Sequence, residues 1–143
     1  MKKLFIIFLA FLFSGFVYTQ NIKEFSSYAQ AMQEFSVGAD EEKIMVIYFY
    51  DGENSKIEKK IKKQILKSNS FKELGKDLVL LLVDTSKKEQ ARAYNSRALR
   101  AFNSQNIMPS LKVYIPGHRK ELPLQTNFSD QEITTFLSKI KSL

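Results

Sequence analysis

Two uninterrupted apolar runs constrain this chain more than any other feature. Ile44-Met45-Val46-Ile47-Tyr48-Phe49-Tyr50 and Leu78-Val79-Leu80-Leu81-Leu82-Val83 are each too short for an ordinary helix. A strand with one wet face alternates apolar and polar residues; a strand apolar at every position is covered on both faces. Between the runs, Ser55 to Lys67 carries Ile57, Ile61 and Ile65 at four-residue spacing, with Leu66 widening the stripe. Lys56, Lys59, Lys60, Lys62, Lys63 and Lys67 cover its other sides. Two buried strands joined by a helix predict a right-handed crossover and a parallel pair. The fold class is α/β.

The flanking elements extend the same order. Ser26 or Ser27 is placed to cap a helix with Tyr28, Ala31, Met32 and Phe35 on one side, ending near Gly38. Ser86-Lys87-Lys88-Glu89 matches a capping box, and Ala91, Tyr94, Ala98, Leu99 and Phe102 continue as a helix. Leu111 to Ile115 is a strand that Pro116-Gly117-His118 turns back into Glu121 to Leu124, an antiparallel pair. Ser129 and Glu132 form a further capping box, with Phe128 and Ile133 at staple positions. Ile133, Phe136, Leu137 and Ile140 give the last helix its apolar face, and Ile22 marks an extra strand near the start.

The first residues have a different character. Lys2 and Lys3 precede an almost purely Leu, Ile and Phe stretch from Leu4 to Phe13, followed by small and polar residues. A basic head, a short apolar core and a small-residue exit describe a secretory signal peptide over 1–19, leaving one domain over 20–143. The apolar run falls short of the about 20 residues that span a bilayer, so an uncleaved inner-membrane anchor is the alternative. Export, to a periplasmic or extracellular destination, makes nucleic acid an unfavourable partner for the net charge of +7. Another envelope or secreted protein, or an anionic membrane surface, suits that charge better. The chain has no cysteine and one histidine, His118, so it offers neither a thiol nor a histidine cluster for a metal. No metal or cofactor is expected.

The residues around the first run carry a resemblance. Phe49-Tyr50-Asp51-Gly52-Glu53-Asn54-Ser55-Lys56-Ile57-Glu58-Lys59-Lys60-Ile61 is similar, without a gap, to the strand, turn and Trp-Cys-x-x-Cys-Lys-Lys helix start of exported bacterial thioredoxin-related proteins. Phe71 falls where that family places an aromatic after the helix, and Leu78 to Asp84 is similar to its second core strand. Met108-Pro109-Ser110 resembles its cis-proline tripeptide. The resemblance to the thioredoxin-like superfamily implies a central mixed sheet flanked by helices. It also implies a peptide-binding edge at Asn54, Met108, Pro109 and Ser110.

Departures from the pattern set the chemistry. Ser55 and Glu58 occupy the two cysteine positions, and Asn54 replaces the preceding tryptophan. The family's exchange reaction needs a thiolate that attacks a disulfide and a second thiol that resolves it. A serine hydroxyl and a carboxylate do neither, so thiol–disulfide oxidoreduction is excluded. Ser55-x-x-Glu58 is instead a capping-box pattern. A nucleophilic Ser55 assisted by Glu53, Glu58 or Asp84 is the enzymatic alternative, with no recognisable constellation behind it. The expected role is a non-catalytic protein- or peptide-binding module. The alternative without catalysis is a structural or assembly factor docking through Lys59, Lys60 and Lys63.

Overall fold

The computed structural model describes residues 22–37, 43–52, 55–74, 78–115 and 122–143. The proposed signal segment, Glu53, Asn54 and His118 lie outside these residues. The described elements are β1 (Ile22–Phe25), α1 (Tyr28–Ser36), β2 (Ile44–Tyr50) and α2 (Lys56–Ile61), which runs into a π-helical turn over Lys62–Leu66. There follow α3 (Asn69–Lys72), β3 (Leu78–Asp84), α4 (Lys88–Phe102), β4 (Ser110–Tyr114) and α5 (Asp130–Lys141). Among the described residues, no helix is long and apolar enough to cross a membrane.

The four strands form one mixed sheet in the order β1-β3-β2-β4. β3 is parallel to both β1 and β2, with Ile44 opposite Leu78 and Tyr50 opposite Asp84. β4 runs antiparallel to β2, bringing Ser110 opposite Phe49. Every residue of β2 is buried, as an apolar run without alternation requires. Its side chains divide by parity. Ile44, Val46, Tyr48 and Tyr50 join Ile61, Ile65, Phe71, Ile133, Phe136 and Ile140 on one face. Met45, Ile47 and Phe49 join Ala31, Phe35 and Ala98 on the other. The result is α2, α3 and α5 on one side and α1 and α4 on the other, an α/β sandwich of three layers.

Several local expectations need correction. Ile57 is 49% exposed, and Glu58 takes the buried position beside Ile61 and Ile65. The sequence stripe counted Ile57 as core because its four-residue spacing continues to Ile61. Tyr94 likewise faces solvent, while the neighbouring Asn95 is buried. Asn95 spans two helices: its amide nitrogen donates to the Ser26 carbonyl at 2.9 Å, and its oxygen accepts the Tyr28 N–H at 3.0 Å. It therefore replaces Ser27, whose side chain makes no capping bond.

Ser86 does not cap α4; Lys87 holds that position, and the Ser86 hydroxyl donates to Asp84 at 2.6 Å. The returning partner of β4 is a single antiparallel bridge, Leu111 to Gln125, rather than a strand over Glu121 to Leu124. Pro123 has no N–H for a ladder, which is a physical reason for the pairing to shrink there. Residues 116–121, including the predicted turn, lie outside the described residues.

Candidate functional site

At the C-terminal ends of β2 and β3 the chain forms a short platform. The Asp84 carboxylate accepts from the Gly52 N–H at 3.3 Å and the Ser86 N–H at 3.0 Å, besides the Ser86 hydroxyl. Gly52 has φ +83°, a left-handed conformation that favours glycine. Thr85 ties the two strand ends together, its N–H donating to the Tyr50 carbonyl at 2.8 Å. This platform delivers the chain to the start of α2.

There Ser55 and Glu58 form a reciprocal capping box. The Ser55 hydroxyl accepts the Glu58 N–H at 3.0 Å, and one Glu58 carboxylate oxygen accepts the Ser55 N–H at 3.2 Å. The other Glu58 oxygen accepts the Asp51 N–H at 3.3 Å. A carboxylate only 4% exposed is thereby satisfied by two backbone donors. Both residues serve the helix start. The hydroxyl of Ser55 is used as an acceptor from the backbone, and Glu58 is turned inward.

The second half of the site is the segment between α4 and β4, built by Asn103. Its side-chain oxygen accepts the Ile107 N–H at 2.9 Å, and its nitrogen donates to the Ile107 carbonyl at 2.9 Å. The same nitrogen lies 3.3 Å from Ser110 Oγ, and the Ser110 hydroxyl donates to the Ile107 carbonyl at 2.8 Å. Asn103 and Ser110 are both buried, so this clamp sits behind the segment and fixes its path. Ser110, expected on the binding edge, has no exposed surface and supports that edge from within. The Met108–Pro109 peptide bond is cis, as the resemblance implies. Among the described residues, neither the Met108 N–H nor its carbonyl takes part in a backbone hydrogen bond.

A groove of about 430 Å³ lies between these two halves. Its walls are Ile57 from α2, Ile107, Met108 and Pro109 from the clamped segment, and Thr126 to Ser129 ahead of α5. Ile57 and Ile107, at 49% and 37%, are two large apolar side chains left exposed on the described surface, and both line this groove. Met108 and Pro109 are thus brought together with the start of α2, as expected. Ile57, Ile107 and the residues before α5 were not expected, and an isoleucine at core spacing gives no signal that it is exposed.

The three lysines proposed as a docking face are not equivalent. Lys59 and Lys63 are exposed, whereas Lys60 is partly covered and pairs with Asp130 at 2.8 Å. That pair joins α2 to the start of α5 beside the groove. It holds the Asp130 carboxyl below its ordinary range, first through the hydrogen bond from Lys60 and then through its charge. Lys62 lies 5.8 Å from the centre of the Tyr50 ring. No group of acidic or histidine side chains suited to a metal ion occurs among the described residues. Comparison with known protein families and with curated proteins finds no match.

Proposed function

We propose that this protein is a thioredoxin-like, redox-inactive binding module of the cell envelope that holds an extended segment of another exported protein in the groove beside Met108 and Pro109. The observation that carries the reading is the pairing of two exposed isoleucines across a groove whose far wall is fixed by a buried asparagine clamp. An apolar pocket next to main-chain groups without internal partners suits an extended peptide. Its backbone supplies hydrogen bonds, and one side chain supplies burial. The strand order β1-β3-β2-β4, with β4 alone antiparallel, supports the thioredoxin-like assignment. Residues 1–19 supply the export signal in this reading. With no thiol in the chain, binding here proceeds without disulfide exchange.

The test is a nuclear magnetic resonance titration of the isotope-labelled 20–143 domain with short extended peptides. Shifts concentrated at Ile57, Ile107, Met108 and Asn127 are the expected result. Shifts confined to α1, α4 or β1 would place binding elsewhere and overturn the reading.

A further inference from the structure

The charge around the groove is more specific than its shape. Among the described residues no charged side chain lines it, and Lys56 directly precedes its α2 wall residue, Ile57, in the chain. Lys56 and Lys60 stand at i and i+4 on α2, and Lys63 follows within the π-helical turn. Among the described residues, the two carboxylates on or bound to this helix are already engaged. Glu58 is buried and bound to the Asp51 and Ser55 N–H groups, and Asp130 is paired with Lys60. Lys56 and Lys63 are exposed and pair with no carboxylate among the described residues. Cations without local partners on a helix that walls an apolar groove raise the local concentration of anionic ligands and favour those that bring carboxylates to that helix.

We infer that the occupant of the groove is an acidic peptide, with an apolar side chain between Ile57 and Ile107 and adjacent carboxylates meeting Lys56 and Lys63. This inference rests on the groove being the binding site. A peptide fits better than an anionic bilayer because the apolar surface is concave. Thr126, Asn127 and Ser129 also give one wall polar groups suited to a peptide backbone.

The experiment compares three fluorescein-labelled peptides of about ten residues, long enough to cross one groove in extended form. Each has a central leucine, flanked by Asp and Glu in the first, Asn and Gln in the second, and Lys in the third. Anisotropy should show the acidic peptide binding about ten-fold tighter than the amide peptide at low ionic strength. That gap should narrow towards about 0.5 M salt, where screening shortens the reach of exposed charges. The double variant K56E/K63E should abolish the gap, and Ile57→Ser should weaken both peptides by about ten-fold. All three substituted positions are exposed, and circular dichroism checks that each variant is folded.

Equal affinity for the acidic and amide peptides would overturn the charge assignment and leave the groove reading standing. Failure of all three peptides to bind the folded protein would overturn both. Acidic binding that survives Ile57→Ser would put the charge chemistry outside the groove and overturn the inference. Phosphatidylglycerol vesicle binding that is lost in K56E/K63E but kept in Ile57→Ser would do the same.

Discussion

Ser55 and Glu58 show how one residue pair can be legible in sequence while its surroundings are not. The Ser-x-x-Glu spacing predicts a capping box because both partners lie within one helical turn, and the box is present. Ser55→Ala should lower stability by about 1 kcal/mol, the usual cost of losing a cap, read from a urea midpoint. Glu58→Ala should cost more, about 1–3 kcal/mol, because it strands the Asp51 and Ser55 N–H groups near a buried position. Glu58→Gln keeps an acceptor oxygen and should recover part of that loss. Asn103 and Asn95 were illegible for the opposite reason. Each is a single polar residue whose buried role depends on how its helix packs. Asn95 reaches Ser26 and Tyr28 across the fold, while the Ile107–Ser110 loop folds back over Asn103. Asn103→Ala should cost about 1–3 kcal/mol and shift the amide resonances of Ile107 and Met108, since the clamp sets their path.

At the scale of elements, β2 and β3 were legible because burial on both faces leaves almost no polar position to confuse the reading, whereas β1 and β4 carry Lys23, Glu24 and Lys112. α2 was legible in extent but not in facing. Ile57 lies in the regular first turn, where it lines the groove instead of the core, while Ile61 and Ile65 stay buried into the π-helical turn over Lys62–Leu66. α3 spans only Asn69–Lys72, too short for any periodicity to register. Besides the shared core, the Lys60–Asp130 pair links α2 to α5, and its pH dependence follows from the lowered Asp130 pKa. A carboxyl whose folded pKa is depressed adds stability that is present above its unfolded pKa and lost as pH falls through the folded one. Acidification through and below the ordinary carboxylate range should therefore shrink the stability difference between the native chain and Lys60→Ala. The difference at neutral pH should itself be small, because Asp130 is exposed. A carbon-detected titration should place the Asp130 midpoint higher in Lys60→Ala than in the native chain. An unchanged midpoint would remove Lys60 as the cause.

The whole molecule is two half-cores sharing one sheet. Phe136 packs with Tyr48, Ile61 and Phe128 under α5, and Phe35 packs with Ile47, Phe49 and Ala98 under α1. The buried sheet strands, alternating their side chains between the faces, are the structural element common to both. This arrangement decides how damage should combine. Phe35→Leu and Phe136→Leu each keep an apolar side chain of reduced volume, and each should cost about 1–1.5 kcal/mol. The two phenylalanines belong to separate clusters on opposite faces, so the losses in the double variant should add to within about 0.5 kcal/mol. Unfolding should remain one cooperative transition, because removing either helical layer exposes the same central strands. Urea melts followed by tyrosine fluorescence and by far-ultraviolet circular dichroism test both points together. Coincident curves with additive shifts are expected. Two separated transitions would mean that the layers unfold independently. A coupling well above 0.5 kcal/mol would mean that the sheet transmits repacking from one face to the other.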